Sequence, residues 1–161
     1  MTEKEFNTCV DLYADRLFRF LLKNIKEENE AQDLVQDSFE ALWKQYQKVN
    51  FQKARAWLFT TGYRKMIDQI RKQKRITYMD ELPETGRINN KGDSDLKTLL
   101  ENGMKQLSEK QRSLLMLKDY EGYNYKEIGE ITGLSSAQVR VYLHRARLKM
   151  KAFLVKIEDI L

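Results

Sequence analysis

Asn124, Glu127, Gly133, Ser135 and Gln138 are spaced to shape two helices around a tight turn, and a run of cations follows them. Asn124 can cap a helix, with Glu127 three residues on to close a capping box. Gly133 suits the turn, because glycine takes a left-handed backbone at little cost. Ser135 caps the next helix, with Gln138 in the reciprocal position. From Ala137 to Lys151 there is no acid, whereas Arg140, Arg145, Arg147, Lys149 and Lys151 all lie there. A basic helix alone is usually a solvated face. Behind this turn it becomes the second helix of a helix-turn-helix, which enters the DNA major groove. Gln138 and Arg140 can make bidentate bonds to base edges, glutamine to adenine and arginine to guanine. Ala137 and Val141 suit thymine methyl groups. Arg145, Arg147 and Lys149 suit phosphates, and the amides near Ser135 and Ser136 open a helix where phosphate binds well.

A second cationic surface differs in style. Lys53, Arg55, Arg64, Lys65, Arg71, Lys72, Lys74 and Arg75 face a single acid, Asp68, and Phe51, Trp57, Phe59 and Tyr63 are interleaved with them. Cations track a phosphate backbone and aromatic rings stack unpaired bases. Phe59 and Tyr63 read as core, while Phe51 and Trp57 suit either role. A third surface is acidic. Asp33, Gln36, Asp37 and Glu40 recur on one helical face with Trp43 beside them. Such a face is often merely solvated, but it also suits docking to a basic partner, and tryptophan is enriched in interface hot spots.

The elements that position these residues read as helices throughout. Apolar residues recur at helical spacing between charged ones, and Pro83 is the only proline of the 161 residues, so the fold class is all-α. A first helix spans about 3–26, with Phe6, Val10, Tyr13, Leu17, Leu21 and Ile25 on one face. A second starts at an Asn29 cap paired with Gln32 and buries Leu34, Val35, Phe39, Leu42 and Tyr46. A third covers about 52–75. It buries Phe59, Gly62, Tyr63, Met66 and Ile70 and turns Trp57, Thr61, Arg64, Asp68, Arg71 and Arg75 the other way. Residues 76–95 break the pattern with Pro83, Gly86, Asn89, Asn90, Gly92 and Ser94, so they read as a flexible linker. Two small helical domains follow, 1–75 and 96–161. In the second, a Ser108 cap with Gln111 opens a helix carrying Leu114, Leu115 and Leu117, which ends at Glu121-Gly122. Val139, Leu143, Ala146 and Met150 form the inward face of the last helix.

Composition narrows the function classes. The net charge of +5 favours a polyanionic partner. Cys9 and His144 are the only cysteine and histidine, which argues against a disulfide, a metal centre or a histidine-dependent triad. No phosphate loop appears, so neither an enzyme nor a cofactor is expected. The apolar runs are too short to span a bilayer and no leader pattern is evident, so the expected location is cytoplasmic.

Taken together, these segments resemble the bacterial RNA polymerase sigma factors of the sigma-70 family, in the extracytoplasmic-function (ECF) group. NEAQDLVQDSFEALWKQY, residues 29–46, resembles the family's core-polymerase-binding helix. ARAWLFTTGYRKMIDQIRKQKR, residues 54–75, resembles its promoter-melting and upstream-recognition helix. LSEKQRSLLMLKDYEGYNYKEIGEITGLSSAQVRVYLHRARLKM, residues 107–150, resembles its second conserved domain. Gly129 stands where the family commonly has alanine, Gln138 replaces a common threonine, and Gly62 and Lys65 replace a usual alanine and asparagine.

The resemblance implies a transcription initiation factor that catalyses no bond change. Asp33, Gln36, Asp37, Glu40 and Trp43 would grip the clamp of core RNA polymerase. Residues 49–53 would receive a base flipped from the minus-ten box, and Asn50, Phe51, Lys53, Arg55, Trp57, Arg64, Arg71 and Arg75 would hold the melted strand. Ser135, Ser136, Ala137, Gln138, Arg140, Val141, Arg145 and Lys149 would meet the minus-thirty-five box. The linker would thread toward the RNA exit path, and an anti-sigma factor is an expected partner. The rival readings are a helix-turn-helix regulator that binds its operator without polymerase, and a helical adaptor that uses only the acidic strip.

Overall fold

The computed structural model describes residues 1–80 and 95–160, and all regular structure among them is helical. Helix α1 (Glu3–Ile25) opens on Thr2, whose hydroxyl accepts from the Glu5 amide while the Glu5 carboxylate accepts from the Thr2 amide. It closes at Lys26, left-handed at φ 66°. Helix α2 (Glu28–Trp43) follows at once, which corrects the expected Asn29 cap. The Glu27 carboxylate accepts from the amides of Asn29 and Glu30 and takes the capping role. A carboxylate there also meets the positive end of the helix dipole.

Helix α3 (Ala54–Asp80) runs past Arg75, so residues 76–80 of the expected linker are helical. No glycine or proline interrupts Ile76–Asp80, and the first strong breaker is Pro83. The remainder of the expected linker, residues 81–94, lies outside the described residues. Helices α1 to α3 pack their apolar faces together around Leu17, Phe20, Leu21, Leu42, Leu58, Phe59 and Met66, all buried. Val35 and Tyr46, expected in the α2 stripe, are only partly buried.

The second half contains α4 (Leu96–Lys105), α5 (Glu109–Leu115), α6 (Tyr125–Thr132) and α7 (Ser136–Ile160). Asp95 caps α4, and the expected Ser108–Gln111 box opens α5. After Leu115 the chain widens into a π-helical turn, Met116–Tyr120, before Gly122 at φ 74° redirects it. Leu114, Leu117, Ile128, Ile131, Val139, Leu143 and Ala146 form this half's buried centre.

The halves meet on a shared face, with α3 against α6 and α1 against α5. Arg112 crosses it from a buried position. Its guanidinium donates to the carbonyls of Met104 (2.8 Å) and Leu107 (2.7 Å) in its own half. It also donates to the Lys23 carbonyl (3.3 Å) and Asn24 Oδ1 (2.8 Å) at the end of α1. Burial pushes its pKa down, only partly countered by Glu109. Carbonyl oxygens at two helix ends thus take the place of a carboxylate partner. Asn24 adds a bond to the Ser113 hydroxyl, 2.7 Å long.

Candidate nucleic-acid interface

The helix-turn-helix is built by the local bonds its spacing implies. Asn124 Oδ1 accepts from the Glu127 amide at 2.8 Å, and Glu127 Oε1 accepts from the Asn124 amide at 3.1 Å. Gly133, at φ 79°, ends α6 by donating to the Gly129 carbonyl. Gly129 matters for space. A Cβ there would lie 2.7 Å from the Leu134 carbonyl oxygen, so the turn approaches α6 at a distance a side chain would disturb. Ser135 Oγ accepts from the Gln138 amide and Gln138 Oε1 accepts from the Ser135 amide. With Val139, Leu143 and Ala146 buried, α7 leaves Ser136, Ala137, Gln138, Arg140, Val141, Arg145 and Lys149 exposed, as is Ser135 before it.

The exposed groups are not equally free. Gln138 spends its carbonyl oxygen on the cap, so a bidentate bond to adenine requires that cap to open. The Arg147 guanidinium is held by Asp119 at 3.0 Å. Arg140 instead lies over the Tyr125 ring, 5.3 Å from its centroid, and keeps its donors. Leu148 is 53% exposed, and nothing in the structure explains it.

The basic face of α3 divides. Arg64, Arg71 and Arg75 are exposed, as is Lys53 in the short 3-10 turn Phe51–Lys53. Asn50 caps that turn by accepting from the Gln52 amide. Phe51 and Trp57 pack against the core and are only partly buried. Arg55 behaves differently. It reaches Glu121 across the junction, pairing with its carboxylate at 3.1 Å and donating to its carbonyl. Its guanidinium also lies 4.4 Å from the centre of the Tyr123 ring. Arg16 shares the Glu121 carboxylate at 2.6 Å. Burial pushes the Tyr123 phenol well above its ordinary pKa, against the opposing pull of Arg55. Farther along α3, Arg64 and Arg71 line a cleft of about 450 Å³ whose lining also includes Ile131, Gly133 and Leu134 from the helix-turn-helix.

The acidic strip is exposed at Asp33, Gln36, Asp37 and Glu40, opposite buried Leu34, Phe39 and Leu42. Glu40 pairs with Lys44 at 3.7 Å, while Asp33 and Asp37 have no ion-pair partner among the described residues. Trp43 is 45% exposed. It stacks on Tyr46 at 4.8 Å and meets the Phe6 ring at 5.0 Å. Phe6, Val10, Phe18, Val35 and Phe39 continue from it as an apolar groove of about 800 Å³, with Gln36 and Glu40 on its rim. Acid beside a grooved apolar wall suits a basic, partly apolar partner surface.

Comparison with known proteins places these surfaces in a family. Residues 9–76 match sigma-70 region 2, and residues 97–150 match sigma-70 region 4. The chain is 30% identical to the RNA polymerase sigma factor SigV of Bacillus subtilis, over 95% of this chain and 92% of that protein. It is 31% identical to the ECF RNA polymerase sigma factor SigM of the same organism, over 88% of this chain and 90% of that protein. Among solved structures, the sigma factor RpoE in complex with the anti-sigma factor NepR, from Bartonella quintana, superposes with a TM-score of 0.77. That match carries 25% identity and covers 94% of this chain and 97% of that one. The chain therefore belongs to the ECF group of the sigma-70 family of RNA polymerase sigma factors.

Proposed function

We propose that this chain acts in the cytoplasm as a non-enzymatic initiation factor whose surfaces divide the work of promoter recognition. The acidic strip and the groove beside Trp43 dock on core RNA polymerase. The first half, residues 1–75 with the end of α3, reads the minus-ten box as a melted single strand. The second half, residues 96–161, reads the minus-thirty-five box as duplex through α7. An anti-sigma factor is the expected regulatory partner.

The observation that supports the reading best is the pairing of two dissimilar DNA-facing surfaces with the two matched regions. The exposed face of α7 carries hydrogen-bonding side chains spaced for a groove. The face of α3 sets partly buried rings, Phe51 and Trp57, beside the cations Lys53, Arg64, Arg71 and Arg75. Rings suit unstacked bases, which a duplex does not offer. Arg55 joins that face only once its bonds to Glu121 are released.

Stacking contributes roughly 1–3 kcal/mol per base, close to the few kcal/mol needed to unstack one. Neither effect dominates, so strand opening requires polymerase to hold the strands apart. With a fluorescent base analogue in the minus-ten box, signal rises with holoenzyme, stays flat with the isolated chain, and falls for Phe51→Ala. Full opening by a holoenzyme whose residues 49–53 are replaced by Gly-Ser would move the base-reading site elsewhere.

A further inference from the structure

Tyr125 is the first residue of α6, directly behind the Asn124 cap. The capping box fixes its backbone, and its ring packs partly against the core. That ring faces cations from two other elements. Lys118 Nζ, from the π-helical turn, lies 5.2 Å from the ring centre, and the Arg140 guanidinium, from α7, lies 5.3 Å away. Both distances fall within the roughly 6 Å over which an aromatic face attracts a cation. Neither Lys118 nor Arg140 has an ion-pair partner among the described residues.

The kind of contact decides what it can do. A carboxylate would occupy the guanidinium's donors and neutralise its charge, as Asp119 does for Arg147. A ring face attracts the cation and leaves its N–H groups free to point at a guanine edge. It also narrows the conformations of a long side chain before DNA arrives, which lowers the entropic cost of binding. The same box that shapes the turn therefore holds the platform on which Arg140 rests.

We propose that Tyr125 is a positioning residue for promoter selectivity, acting through Arg140 by holding its guanidinium in a base-reading orientation. The inference rests on the reading of Arg140 as a base contact in the minus-thirty-five box. The test is transcription by holoenzyme from a library randomised in that box, with discrimination scored position by position. Arg140→Ala removes discrimination at one position by about tenfold or more. Tyr125→Leu, which stays apolar but loses the ring, reduces discrimination at that same position about two- to fivefold. Tyr125→Phe keeps it, and Tyr125→Leu adds nothing further in an Arg140→Ala background. Lys149→Ala, about two and a half turns further along α7, weakens all sequences alike. Melting temperatures measured in parallel separate a loss of fold from a loss of selectivity. If Arg140→Ala changes a position and Tyr125→Leu does not, or if Phe fails to rescue, the positioning role is overturned. If Arg140→Ala changes no position, the base contact itself is wrong and the positioning role goes with it.

Discussion

Charge reversal at Asp33 and Asp37 is expected to lower affinity for core RNA polymerase by about thirtyfold or more while leaving the fold intact. Loss of an interface hot spot costs on the order of 2 kcal/mol, and reversal adds repulsion to the lost attraction. The fold should not notice. Both residues are exposed, and both lie opposite the buried Leu34, Phe39 and Leu42. They sit one helical turn apart, so the wild-type pair already repels and a lysine pair repels about equally. Neither lies in the first turn of α2, where acid is favoured by the dipole. The measurement is competition for polymerase against the unaltered chain, with circular dichroism as the control for folding. A double variant that holds polymerase as well as wild type places the docking surface elsewhere. Trp43→Ala is a second probe of the same face, since its ring is anchored by Tyr46 and Phe6 yet 45% exposed.

Arg112→Ala is expected to cost about 3 kcal/mol of stability, or about 10 °C in Tm for a chain of this size. Its guanidinium satisfies acceptors on Met104, Leu107, Lys23 and Asn24. Buried acceptors left unmade cost about 1–3 kcal/mol each, and water entering the vacated space offsets part of that sum. Arg112→Lys should recover little, because one ammonium lacks the planar fork that spans both halves. Asn24→Ala removes only acceptors and donors across the junction, so its cost should be smaller. Thermal unfolding followed by circular dichroism checks all three variants. A change below about 2 °C for Arg112→Ala would mean that the carbonyls it serves find other partners with ease.

What the sequence discloses depends on the range of the interaction. The caps at Ser108, Asn124 and Ser135 were legible because both members of each box lie three residues apart. The inward face of α7 was legible from its period. The start of α2 was not, because an acid caps it and a lysine takes the left-handed position before it, roles more often filled by asparagine and glycine. The end of α3 is hard to place from sequence because residues 76–80 hold neither glycine nor proline yet run directly into a segment that holds both. The junction was invisible for a different reason. Arg16 and Glu121 are 105 residues apart, and nothing local distinguishes Arg55, which turns inward, from Arg64, which does not. Arg112 carries no local mark of burial either, since its partners Lys23 and Asn24 lie 89 and 88 residues away. Tyr125 carried no signal at all, since its importance lies in cations contributed by two other elements.

The most direct test of the central claim is run-off transcription with purified core polymerase on a pool of promoter fragments. Core polymerase with this chain should give discrete transcripts that share a minus-thirty-five and a minus-ten element, and core alone should not. Loss of either half should abolish them. Transcripts indistinguishable from those of core alone, together with tight operator protection by the chain in the absence of polymerase, would contradict the account and leave the polymerase-independent regulator in its place.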